Sequence, residues 1–299
     1  MISPILVTGA TGNVGREVVR ALRERGIAVR TAGRPPGPGR AAVRPPDPAC
    51  AGALADVEAV PLDLARRETF GPALDRAPRA RGLFLLRPPA IANVRDTLLP
   101  LVDEAAARGV EHVVFLSVAG AGENRLVPHH AVERHLRAGR LAWTILRPGF
   151  FAQNLGDAYR RDIAEDRRLF VPAGRGRVAF VDVRDVAEIA ALAFAAPERH
   201  RGQAYTLTGP EAVSFFDAAA ILTETLGRAI RYEPATLVGY ARHLRRRGLP
   251  LAQIAVQTVL HAGLRLGQAE GVDPTLERLL GRPGRTLRAY VRDHAALWA

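Results

Sequence analysis

The sequence predicts an α/β protein: a doubly wound parallel sheet with helices over both faces, followed by a smaller, mainly helical lobe. Three observations carry this expectation. Short, unbroken apolar runs alternate with amphipathic stretches through the first two thirds of the chain, and strands with no polar side are strands covered on both faces. These runs end at glycine, proline or a polar residue, which marks a strand–loop boundary. After residue 150 the pattern changes, and helical periodicity dominates. Right-handed crossovers between successive strands give the double winding.

The elements follow in order. Residues 5–8, Ile-Leu-Val-Thr, form a first strand, and 16–25 a helix with Val18, Val19 and Leu22 on its apolar face. Residues 28–32 are a second strand. Residues 35–48 are rich in proline, glycine and arginine, which excludes regular structure and suggests a mobile loop. A third strand at 57–62 ends at Asp63, and a fourth at 82–86 is cut by Arg87-Pro88-Pro89. The fifth, 111–117, surrounds Val113-Val114-Phe115-Leu116, and the sixth, 141–146, stops at Arg147-Pro148-Gly149. Helices are expected at 93–108, with Leu98, Leu101, Val102 and Ala105 on one face, and at 127–138. Then come a helix at 151–164, a short strand at 177–181, a helix at 183–196 and an edge strand at 203–207. Ser214 and Gly227 bracket a helix at 214–226, and 236–267 holds two helices parted near Gly248-Leu249-Pro250. The expected division is a sheet domain over 1–150, with 177–207 returning to it, and a lobe over 151–299.

The junction of the first strand and first helix is the most specific feature. Gly9-Ala10-Thr11-Gly12-Asn13-Val14-Gly15 follows the strand at once. Strand, glycine turn and helix is the context in which this spacing reads as a dinucleotide site; the alternative is an ordinary β–α turn. Gly9 permits the tight turn, Gly12 lets the main chain approach a pyrophosphate, and Gly15 lets the helix pack close to the strand. The helix N-terminus offers N–H groups and partial positive charge to the phosphates, with Thr11, Asn13 and Val14 in the same cradle. Ligands of such sheets bind beyond the carboxyl ends of the strands. That rule adds Gly33-Arg34, Asp63-Leu64, Arg87-Pro88-Pro89, 117–120 and 147–154.

Composition bounds the function. The chain has 299 residues, 48% hydrophobic and 24% charged, and no apolar run near the ~18 residues that span a bilayer. It opens into a strand, so neither a secretory leader nor membrane association is expected. Cys50 is the only cysteine, which excludes an internal disulfide and a four-cysteine metal site; a cytoplasmic setting fits, and no metal is expected. The formal net charge is +12, yet the sequence contains no lysine, so all 42 basic residues are arginine. No mechanism that needs a lysine amine can operate. The arginines are dispersed and not interleaved with aromatics, so the expected partners are an anionic coenzyme and a small molecule, not nucleic acid. A monomer or homodimer is expected.

Together these residues resemble the NmrA-like branch of the atypical short-chain dehydrogenase/reductase family. The likeness is carried by Val7-Thr8-Gly9-Ala10-Thr11-Gly12-Asn13-Val14-Gly15, by 113–117, and by Trp143-Thr144-Ile145-Leu146-Arg147-Pro148 with Phe150, Phe151 and Asn154. Val181-Asp182-Val183-Arg184-Asp185-Val186-Ala187 and Gly281-Arg282-Pro283 add to it. The resemblance implies a Rossmann domain with a small C-terminal substrate lobe. Its members include NAD(P)H-dependent quinone and azo reductases, iminium reductases, and redox-sensing regulators that bind coenzyme without turning it over. It also implies that Asp63 contacts the adenine; capping a helix that begins near Ala65 is the other reading.

A carboxylate ending the second strand would select NAD through the ribose hydroxyls. Here the strand ends Thr31-Ala32-Gly33-Arg34, without an acid. Arg34, with Arg30 or Arg40 as further candidates, can hold a 2′-phosphate by a forked contact, so NADP(H) is expected over NAD(H). The alternative is that Arg34 is one more surface arginine. Arg87 and Ser117, expected at the nicotinamide ribose, and Asp63-Leu64 complete the expected coenzyme edge, and Pro88 and Val118 are expected to face the substrate.

In the wider dehydrogenase family a tyrosine donates the proton and a lysine four residues on lowers its pKa. This chain lacks that pair. The corresponding helix reads Pro128-His129-His130-Ala131-Val132-Glu133. His129 or His130 is a candidate proton donor or substrate contact; decoration of the helix start and a metal site are the alternatives. Phe150, Phe151, Gln153 and Asn154 can supply aromatic walls and amide contacts to a ligand; packing and turn formation are the other reading. Asp182 and Asp185 read as helix caps. Hydride delivery to a simple ketone builds an alkoxide that needs a strong donor, whereas a quinone, conjugated enone or iminium ion accepts more readily. The expected function is NADPH-dependent reduction of an electrophilic, aromatic or polycyclic small molecule. A non-catalytic coenzyme sensor and a redox-neutral cyclase or isomerase remain open.

Overall fold

The computed structural model describes residues 3–34, 54 and 56–299. The 35–48 segment, Arg40 and Cys50 lie outside the described residues. The chain divides into two compact units, Met1–Pro148 with Val183–Leu207, and Gly149–Asp182 with Thr208–Ala299. Residues 177–182, expected to return with the edge strand, group with the second unit.

The first unit is a doubly wound parallel sheet. Its elements are β1 (Ile5–Thr8), α1 (Asn13–Glu24), β2 (Val29–Gly33), β3 (Ala59–Pro61), α2 (Phe70–Asp75), β4 (Gly82–Leu86), α3 (Leu98–Ala107), β5 (His112–Leu116), α4 (Pro128–Ala138), β6 (Ala142–Pro148), α5 (Val183–Ala195) and β7 (Gln203–Leu207). The strand order is β3-β2-β1-β4-β5-β6-β7, and every pair is parallel. Burying both faces explains the unbroken apolar runs: β1 and the first four residues of β4 and β5 are fully buried. One face packs Phe70, Leu74, Leu98, Leu101, Val102, Val132 and Leu136 from α2, α3 and α4. Helices α1 and α5 pack on each other, and a Cβ on Gly82 would strike Ile5 and Phe194, so α5 lies close over β4.

The second unit is mainly helical. Helices Phe215–Leu226, Leu237–Arg246, Leu251–Arg265, Thr275–Leu280 and Leu287–Asp293 surround a core that includes Tyr159, Phe180, Phe215, Tyr240, Tyr290 and Trp298. Ser214 forms the expected capping box with Asp217, and Gly227 closes that helix at φ 64°. Trp298 is fully buried and donates from its indole to Leu155 O at 3.1 Å. No helix among the described residues is long and apolar enough to cross a membrane.

Three expected elements differ. The 93–108 helix begins at Leu98: the Asn93 side chain accepts from the Arg95 and Asp96 amides, and Pro100 suits only a first turn. The 151–164 helix is replaced by a 3-10 turn at Ala152–Asn154 and a short helix at Arg160–Ala164. The 177–181 strand shrinks to Arg177–Val178, with Val181 bridging Phe151 instead.

Candidate functional site

The glycine turn has the geometry that its spacing implies. Gly9 adopts φ +65°, and a Cβ there would lie 2.7 Å from the Leu86 side chain, so only glycine fits comfortably. Gly15 is held tighter still: a Cβ would overlap the Gly9 carbonyl. Gly12 is different. Its backbone is extended, it is exposed, and a Cβ would meet only Gly9 O, at 3.4 Å. Nothing among the described residues requires glycine at 12, which leaves the position open to an occupant outside the chain. Helix α1 starts at this turn without a side-chain cap and with no acid in its first turn. That leaves its positive end available to an anion. The cradle therefore fits the diphosphate of a dinucleotide. Thr11 is exposed, and Asn13 and Val14 are half-buried beside it. Thr8 ties the β1 end to β4, donating to Phe84 O at 3.0 Å and accepting from Leu86 N at 3.1 Å.

Arg34 is exposed just past β2. Arg30, the further candidate for the same phosphate, is committed elsewhere. It is 2% exposed, its Nε meets Glu58 at 2.9 Å, and its other nitrogens reach the carbonyls of Arg76, Ala77 and Pro78. Position 30 lies near the start of β2, and alternation along the strand puts its side chain on the same buried face as Ala32. Asp63 is half-buried and accepts from Ala65 N at 3.0 Å, closing a turn; the next helical residues start only at Arg67. Leu64 packs into the core. Among the described residues there is no metal-ligand cluster.

The carboxyl ends of β4, β5 and β6 are joined to α4 by two polar links. In the first, Glu133 is 2% exposed and accepts from Ser117 Oγ at 2.6 Å and from Arg147 Nε and Nη2 at 3.0 and 2.5 Å. Arg137 stands 3.6 Å away. Burial pushes the Glu133 carboxyl up, but the Arg147 and Ser117 bonds outweigh it and hold the pKa below the ordinary value. Gly122 leaves room for the Arg147 guanidinium, which a Cβ there would strike. Ser117, an expected coenzyme contact, is buried, with its hydroxyl bonded to Glu133. In the second link, Arg87 Nε donates to His129 Nε2 at 3.3 Å.

His129 is 7% exposed, and burial, with the Arg87 charge, pulls its pKa down to about 4 against a smaller opposing effect of Glu133. The ring is neutral near pH 7, with its proton assigned to Nδ1 because Nε2 faces a donor. His129 is therefore a buried acceptor, not an imidazolium acid. His130 is half-buried and donates from Nδ1 to Ala121 O at 2.9 Å, which fixes the loop after β5. Pro88 and Val118 are half-buried at the same sheet edge.

Phe150, Phe151 and Asn154 belong to the second unit and are half-buried there. Phe150 meets Phe180 and His261 edge-on at 5.6 and 5.9 Å. Gln153 gives its amide to buried Asp182 at 3.0 Å. The sequence reading missed the Ser117–Glu133–Arg147 link. Its signal was present: an acid on the apolar face of α4 and an arginine inside an otherwise apolar strand each need a buried partner.

The chain is similar to known proteins along most of its length. The NmrA-like family model matches residues 1–258. An NAD(P)H azoreductase from Xenophilus azovorans is 31% identical over 304 residues, covering 98% of each chain. A (4-alkanoyl-5-oxo-2,5-dihydrofuran-3-yl)methyl phosphate reductase from Streptomyces griseus is 33% identical over 303 residues, covering 99% of each. The crystal structure of an NADPH-dependent quinone oxidoreductase from Escherichia coli superposes with a TM-score of 0.76 at 25% identity, covering 97% of this chain and 98% of that one. The chain belongs to the NmrA-like family.

Proposed function

We infer that this protein is an NADPH-dependent reductase of electrophilic small molecules that works without a tyrosine–lysine pair. It is an oxidoreductase that takes a nicotinamide coenzyme. One observation carries the reading: a glycine turn whose central residue, Gly12, has no internal need to be glycine, placed at the open positive end of α1. When bound, the coenzyme supplies a hydride. The chain binds its diphosphate at Gly9, Thr11, Gly12, Asn13, Val14 and Gly15, and Arg34 takes the 2′-phosphate. The neutral His129 and the self-neutralised Glu133–Arg147 pair offer no strong acid for an alkoxide. That favours acceptors whose reduced form needs none: quinones, conjugated enones and iminium ions, aromatic or polycyclic in the main. The azo and quinone names of the relatives support this class.

Coenzyme oxidation followed at 340 nm against a quinone, an azo dye and a simple ketone tests the reading. Turnover is expected with the first two, with NADPH favoured over NADH, and Arg34→Ala bringing the two coenzymes to parity. Activity confined to the ketone, or equal use of NADH by the wild type, contradicts it.

A further inference from the structure

Two arginines stand at the carboxyl ends of the central strands, and only one is neutralised. Arg147 is paired with Glu133. Among the described residues Arg87, half-buried just past β4, makes bonds only to neutral acceptors. Its Nε donates to His129 at 3.3 Å, and its Nη1 to the carbonyls of Pro88, Pro89 and Ile91. Its Nη2 bonds to nothing among the described residues. Half-burying a guanidinium without an anion costs free energy, and burial alone draws its pKa below the ordinary value. Four neutral acceptors thus fix the orientation of the group while leaving its charge and outer nitrogen unspent. A guanidinium set this way is complementary to an oxyanion.

We propose that Arg87 is an anion-recognition residue whose free Nη2 takes a sulfonate, carboxylate or phosphate group carried by the acceptor molecule. This rests on the reading of the sheet's carboxyl edge as a reductase site, and moves Arg87 from the coenzyme ribose to the substrate. An anionic acceptor is then preferred over a neutral one of similar shape. A coenzyme phosphate offers the same chemistry, so it needs its own arm in the test.

Calorimetry with 2-naphthalenesulfonate, 2-naphthol and NADPH, on wild type, Arg87→Gln and Arg87→Lys, decides. The wild type is expected to favour the sulfonate over the naphthol by ~10-fold, the worth of one charge-assisted bond. Arg87→Gln removes that preference and leaves naphthol and NADPH binding unchanged. Arg87→Lys keeps part of it, because the charge stays while the fork is lost. A loss of NADPH affinity with sulfonate binding intact assigns Arg87 to the coenzyme and overturns the proposal; so does unchanged binding of all three. A wild type that binds the sulfonate but not NADPH retracts the coenzyme reading and leaves the anion site standing. Should Arg87→Gln fail to fold, wild-type sulfonate preference is read from roughly 0.05 to 0.5 M salt, and a preference that does not fall with screening overturns the proposal.

Discussion

Removing the Glu133 carboxylate is expected to destabilise the protein by about 3–5 kcal/mol, the usual cost of stranding one partner of a buried ion pair. Glu133→Ala leaves the Arg147 guanidinium, with 18% side-chain exposure, facing an apolar gap, and takes the acceptor from Ser117 Oγ. The double variant Glu133→Ala/Arg147→Met removes both charges and should lose less than Glu133→Ala alone, because nothing charged is left unpaired. Denaturant unfolding of the three proteins measures this. A Glu133→Ala loss under about 1 kcal/mol, the range of exposed pairs, would show that the link carries no weight.

Acid is expected to weaken the fold through buried histidines, chief among them His112 and His129; burial lowers the pKa of His200 and His261 as well. His112 and His129 are both buried, and burial is the main cause that lowers each pKa from 6.5 to about 4. The unfolded chain takes up these protons near pH 6.5, whereas the folded chain resists until about 4. Stability is therefore full above pH 6.5 and falls as the pH drops towards 4. Each histidine contributes a slope of about 1.4 kcal/mol per pH unit, or about 3 kcal/mol over the window. His112 bonds Thr144 Oγ1 at 2.9 Å at the amino-terminal end of β5, far in sequence from the coenzyme cradle. Denaturant midpoints between pH 7 and 5, for wild type and for His112→Asn and His129→Asn, separate the two contributions. Each variant should flatten the slope by about one proton. Identical slopes in all three would contradict the assignment.

The first unit was legible because its sequence signals are local and agree. β1 and β4 lie on the residues that the apolar runs marked, β7 on the expected edge strand, and Gly9, Gly12 and Gly15 announce their turn. The second unit was less legible because distant contacts overrule local periodicity. Gly156 interrupts the apparent 151–164 helix, and a Cβ there would meet Tyr290 Oη at 2.7 Å and Leu297 at 2.8 Å. Residues more than 130 positions away fill that space, and no window of sequence contains them. The same limit hid the site's polar framework. The spacing of His129 and Glu133 puts both on one helix face, but only the fold shows that His129 meets Arg87 just past β4 while Glu133 meets Ser117 just past β5 and Arg147 in β6. The candidate His129 and its helix neighbour Glu133 are thus both bonded to the strand ends.

The central claim is that main-chain groups of the opening turn hold a coenzyme diphosphate, and calorimetry of NADPH on wild type and Gly12→Val tests it most directly. Gly12 has an extended backbone that valine can adopt, and a Cβ there would make only an ordinary contact, with Gly9 O at 3.4 Å. The variant should therefore melt within about 1 kcal/mol of wild type yet bind NADPH at least ~10-fold more weakly. A wild type that gives no binding heat with NADPH, or a Gly12→Val protein that binds it undiminished, would contradict the account.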